Sequence, residues 1–306
     1  VTKRPPTNIA ASVRAKLLNI ARASGEDFTY VLTRYALERL LARLARSPHR
    51  ESFVLKGAML FRVWSPQVHR PTKDLDLLGS GASDLDRLSR IFAEVCGIAD
   101  EDDGVAFDPK GVRAERIKED AEYEGVRVKV GANVGGARLE LQIDIGFGDA
   151  VTPGVVEVEF PALLAADGLH VRAYPRETVV AEKVHAMVHL GIANSRMKDF
   201  FDLAFLAQSF SFEGAVLVAA MRATFERRGT PLPVERPLAL TATFATDPSK
   251  MTQWKAFVTR GRLATAPATL ANAVEIIEAF VWPPLGGSGA GAFFGARWQP
   301  GGPWAS

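Results

Sequence analysis

The chain has 306 residues, 47% of them hydrophobic and 24% charged, an ordinary globular composition that excludes overall disorder. Its 37 lysines and arginines stand against 35 acidic residues, a net charge of +2 that at first sight argues against a nucleic-acid partner. Cys96 is the only cysteine, which excludes an intrachain disulfide and a cysteine-built zinc site and suits a reducing compartment.

In chain order, residues 11–23 read as an amphipathic helix, with Val13, Leu17 and Ile20 on one face and Gly25 as its stop. Residues 28–46 read as a second helix, with Leu32, Leu37, Leu40, Leu41 and Leu44 inward and Pro48 beyond its end. Phe53-Val54-Leu55 reads as a short buried strand, followed by Gly57 and a helical stretch from Met59 to Trp64. Leu75 to Leu78 is a second strand. Residues 125–130 and 139–145 alternate apolar and polar side chains around Gly135-Gly136, the pattern of an antiparallel hairpin. After Pro161 the pattern turns helical, over 176–190, 199–208, 212–227 and 268–281. The expected organisation is residues 1–160 as N-terminal helices plus a mixed core, 161–285 as a helical lobe, and 286–306 as a flexible Gly-rich tail, though its aromatic residues offer docking groups. The start lacks the apolar centre of a signal peptide, and Ala215 to Met221 is far short of a membrane span, so the expectation is a cytoplasmic monomer without membrane contact.

The chemistry concentrates in Arg70-Pro71-Thr72-Lys73-Asp74-Leu75-Asp76. Residues i and i+2 of a strand share a face, so Asp74 and Asp76 present two carboxylates together. Two such charges need a cation between them, and Mg2+ or Mn2+ prefers oxygen ligands and substrate phosphates. Asp144 adds a third acid in mid-strand. Two acids on one strand and one on a neighbour suit a pair of metals about 4 Å apart. Gly57 and Ala58 form a turn into a helix start, where backbone N–H groups meet phosphates, and Lys56 adds a cation. Strand, glycine turn, helix, then a strand with Asp-x-Asp is the layout of a polymerase β-like nucleotidyltransferase of the α/β (α+β) class. Lys183, on an otherwise apolar helical face, and Arg196 and Lys198 at the next helix start suit triphosphate charge. Taken alone, those residues are better explained by a snorkelling Lys183 and a surface pair of Lys198 with Asp202. His185 and His189 have metal-ligand spacing but lack a third ligand nearby, and Cys96 reads as a small buried apolar residue.

From about residue 12 to about 208 the chain resembles the AbiEii/AbiGii-type nucleotidyltransferase toxins, including the MenT toxins. The resemblance rests on Phe53 to Leu60, Arg70 to Leu77, Asp144 to Asp149, Tyr174-Pro175 with Glu177 and Ala181-Glu182-Lys183, and Asn194 to Leu203. It implies that Asp74 and Asp76 hold the metal, that Lys183 contacts the nucleotide phosphates, and that Asp199 is essential. It also implies phosphate-side cations at Lys56 and Arg70, an NTP substrate, the acceptor end of tRNA as target and a cognate antitoxin as partner. The turn departs from the wider superfamily in having Gly57-Ala58, without a hydroxyl. Transfer to a protein or small hydroxyl compound, or a non-catalytic nucleotide-binding regulator, are the alternatives.

Arg39, Arg43, Arg46 and Arg50 recur at helical spacing and offer an RNA-binding stripe, with an ordinary solvated helix face as the alternative. Ser80 is a candidate phosphorylation site near the acids, where added negative charge would silence the enzyme. The net charge itself is a cancellation. Residues 1–50 carry +7, residues 74–124 carry −9 and residues 196–262 carry +4.

Overall fold

A computed structural model describes residues 8–65, 69–99, 103–120, 123–164, 168–288 and 294–305. The chain forms two compact units, Val1–Gly148 with Val156–Ala173, and Asp149–Val155 with Tyr174–Ser306.

The first unit opens with α1 (Ile9–Ser24), whose cap Asn8 accepts from the Ala11 amide and whose end is Gly25 at φ 70°, a left-handed position that glycine adopts without strain. Then follow α2 (Phe28–Arg46), β1 (Phe53–Lys56), α3 (Phe61–Trp64), β2 (Asp74–Gly79), α4 (Leu85–Gly97), β3 (Val105–Asp120), β4 (Tyr123–Val134), β5 (Ala137–Phe147), β6 (Val156–Phe160) and β7 (Leu169–Ala173). Among the described residues these strands make one seven-stranded mixed sheet in the order β3-β4-β5-β2-β1-β7-β6. β2 runs parallel to β5, and β1 parallel to β7, while the other neighbours are antiparallel. The expected hairpin is β4–β5, and it pairs in continuous register from Val126 with Ile145 to Val134 with Ala137. Val126, Val128 and Val130 of β4 and Leu141, Ile143 and Ile145 of β5 are buried, which fixes that register, since a one-residue slip would expose them. β7 lies beyond residue 160 yet belongs to the sheet unit, because it pairs with β1 and β6.

The second unit contains α5 (Arg176–Leu190), α6 (Met197–Ser209), β8 (Phe212–Glu213), α7 (Gly214–Arg227), α8 (Ala242–Ala245), α9 (Pro248–Gly261), α10 (Leu270–Ser288), β9 (Arg297–Trp298) and β10 (Trp304–Ala305). The tail expected to be flexible instead docks where it is described. β10, β9 and β8 form a three-stranded sheet, and Trp298 is buried with its indole N–H donating to Ala207 O at 2.7 Å. Trp298 and Trp304 also meet the Phe280 ring of α10, so burial of aromatic area outweighs the glycine content. Phe293, another aromatic of the tail, lies outside the described residues. Among the described residues no helix is long and apolar enough to cross a membrane.

Candidate active site

β2 alternates as the sequence dictates, with Leu75 and Leu77 buried and Asp74 and Asp76 on the other face. Strand pairing then builds a row of charges across four strands. Lys56 of β1 lies opposite Asp76 of β2, Asp76 opposite Asp144 of β5, and Asp144 opposite Arg127 of β4. Two carboxylates are thus flanked by two cations. Ligand-capable oxygens of Asp74, Asp76 and Asp144 all lie within 4.8 Å of one another. A hard divalent cation takes oxygen ligands about 2 Å from the metal, so this all-carboxylate set fits Mg2+ or Mn2+ with small adjustment.

Arg127 was not legible as a site residue. Its Nε and Nη2 donate to the two Asp144 oxygens at 2.8 and 2.9 Å, and Gln142 Nε2 donates to Asp144 Oδ2 at 3.0 Å. The hydrogen bond to Asp144 raises the Arg127 pKa further, so the guanidinium stays charged. Thr72 Oγ1 donates to Asp74 Oδ1 in a similar way. Gly57 has φ 72°, and a Cβ there would fall 1.9 Å from Asp76 Oδ2. Only glycine lets the turn approach the carboxylate this closely. Ala58 is buried behind it, Lys56 is 7% exposed, and Arg70 is half-buried.

In the helical unit, Lys183 Nζ lies 2.6 Å from Asp199 Oδ1 and 2.8 Å from Asp202 Oδ2. Arg196 Nε donates to Asp199 Oδ2 at 2.7 Å. Both aspartates are 0% exposed. Burial alone would raise the Asp199 carboxyl, but Lys183 and Arg196 outweigh it and hold it below its ordinary value. Asp202 therefore pairs with Lys183 across helices, and Lys198 is simply exposed. Asn194 is fully buried at the start of this segment; its side chain accepts from the Arg196 amide and its carbonyl accepts from Lys250.

Two expectations change. The arginine stripe is not an open RNA surface, because α2 is buried on most sides. Arg43 is 3% exposed, pairs with Asp103 at 2.6 Å and donates to Ile98 O. Arg39 pairs with buried Glu38 and Arg50 pairs with Glu157, while Arg46 is exposed. Ser80 is exposed and its amide donates to Ser52 O, but it stands at the far end of β2. Four residues of strand rise put it about 13 Å from Asp76, so a phosphate there would not sit among the acids. His185 and His189 stack, and His185 bonds Thr230 with Arg228 beside its other nitrogen, an arrangement for a neutral ring. Burial and the Arg228 charge push the His185 pKa down to about 4. Cys96 is buried as expected, and burial pushes its thiol up to about 12.

A family model described as the nucleotidyl transferase AbiEii toxin of type IV toxin–antitoxin systems matches residues 39–276. Among solved structures, JHP933 from Helicobacter pylori is similar at 15% identity and a TM-score of 0.48, covering 87% of this chain and 95% of that one. A second H. pylori protein, provisionally assigned as a nucleotidyltransferase, is similar at 14% identity and a TM-score of 0.47, covering 87% of this chain and 98% of its own. No curated protein matches the chain.

Proposed function

Because the chain belongs to the AbiEii family of nucleotidyltransferase toxins, we propose that it transfers nucleotides from an NTP to the 3′ end of tRNA, blocking aminoacylation and growth. The observation that carries the reading is the carboxylate cluster of Asp74, Asp76 and Asp144 beside the Gly57 turn.

On this reading Asp74 and Asp76 hold Mg2+ or Mn2+, with Asp144 contributing while it stays clamped by Arg127. The ion, when bound, supplies charge that favours the 3′ alkoxide and the departing pyrophosphate. The amides of Gly57 and Ala58, with Lys56 and Arg70, orient the triphosphate. Lys183 neutralises phosphate charge in the helical unit, and Asp199, itself held by Lys183 and Arg196, keeps that ammonium in place. Lys198 is an exposed cation available to the nucleotide or acceptor. An antitoxin partner follows from the type IV toxin–antitoxin family.

Expression in cells, followed by sequencing of tRNA 3′ ends, tests the proposal. Growth arrest with untemplated nucleotides on tRNA ends is expected, and neither should appear with Asp76→Asn. Arrest that persists in Asp76→Asn contradicts the catalytic reading, and arrest with unaltered tRNA ends contradicts the target.

A further inference from the structure

A small cavity in the sheet unit has Arg34, Ala58, Arg62, His69, Arg70 and Thr72 in its lining. Three arginines and a buried histidine thus meet in one space. Thr72 links it to the acids through its bond to Asp74, and Ala58 links it to the Gly57 turn. The enclosed space is about that of one water molecule, which suits a single oxygen and is too small for a nucleobase.

Positive charge dominates the described lining, which includes no acidic side chain. Arg34 pairs with Glu26 at 2.8 Å, and Glu38 is taken by Arg39 at 2.5 Å. Among the described residues, none forms a hydrogen bond or ion pair with Arg62. Its pKa is lowered by burial and then by the like charge of Arg34. Arg34 is 6% exposed, yet its Nε is buried with no hydrogen-bond partner. Glu26 and Glu38 offset that repulsion only in part, since the Arg62 pKa stays lowered. A buried donor without an acceptor and two crowded guanidinium charges are both costly, and both are relieved by one anionic oxygen. Guanidinium groups are the side chains best shaped for phosphate.

We propose that Arg34 and Arg62, with His69 and Arg70, form a phosphate-binding pocket beside the acidic cluster that anchors one oxygen of a substrate phosphate. Two sources share that chemistry: the NTP itself, or a backbone phosphate of the acceptor RNA. The choice of source rests on the nucleotidyl-transfer reading, whereas the pocket does not.

Thermal unfolding and equilibrium binding of the full chain in EDTA test this, with inorganic phosphate, a mixture of the four NTPs, and a short single-stranded RNA as separate probes. The parent protein is expected to gain Tm with phosphate. Arg62→Met is expected to start at a higher Tm without ligand and to lose at least about tenfold in affinity for one of the two larger probes. Loss for NTP alone assigns the nucleotide, and loss for RNA alone assigns the acceptor. Arg62→Lys, which keeps charge and fold, is expected to fall between the two. Asp76→Asn should keep the phosphate response, which separates the pocket from catalysis. An Arg62→Met or Arg62→Lys protein that binds every probe like the parent overturns the proposal, even if nucleotide transfer is confirmed.

Discussion

Lys183 holds Asp199 and Asp202 together inside the helical unit, so a substitution there has two consequences. Lys183→Ala leaves two buried carboxylates without their shared cation, at a cost of about 3–5 kcal/mol. It is expected to lower the midpoint of chemical denaturation as well as any activity, so loss of toxicity in that variant does not by itself report on catalysis. Asp76→Asn is the cleaner probe. It relieves repulsion with Asp74 and Asp144, so the metal-free protein should keep its Tm or gain slightly, while Mn2+ affinity falls and nucleotide transfer drops by about 100-fold or more. A Tm loss of many degrees in Asp76→Asn would instead make that carboxylate structural. Gly57→Ala should lose about 1–3 kcal/mol and most activity, because both φ and the Asp76 contact forbid a Cβ. The Asp-x-Asp pair was legible because strand period alone sets its face. Arg127 was not, because its partner Asp144 is defined by register across a hairpin. Arg43 misled for the same reason, since Asp103 is set against it only by the fold.

At the scale of elements, α5 carries a pH response. His185 is buried neutral, with its pKa near 4 against an ordinary value of 6.5. The unfolded chain therefore binds more protons than the folded one between those values. Stability is complete above pH 6.5 and is lost as pH falls towards 4, by about 2–3 kcal/mol for this residue. His185→Gln should flatten the slope of unfolding free energy over that window, and an unchanged slope would refute the assignment. Trp298→Ala should cost about 3–5 kcal/mol, since it empties a core position and leaves Ala207 O without its indole donor. α2, α5 and the β4–β5 hairpin were legible in their periodicity. β3 was not. It is a sheet-edge strand carrying Asp108, Lys110, Arg113, Glu115 and Arg116, and such charges blunt an edge while erasing the alternation that reveals a strand. The tail misled because glycine content hid two tryptophans that pay for its ordering.

For the molecule as a whole, the near-zero net charge hides unlike segments, but the positive N-terminal helices are not an open RNA surface. Much of their positive charge is spent internally, on Asp103, Glu38, Glu26 and Glu157. The mixed α/β class and the carboxylate cluster were readable from sequence, while the internal ion pairs needed the fold. The central claim is metal-dependent nucleotide transfer to RNA. Purified protein incubated with each labelled NTP, Mg2+ and total RNA tests it most directly. Label on tRNA 3′ ends is expected, abolished by EDTA and by Asp76→Asn; label confined to protein, or none with any NTP, would contradict it.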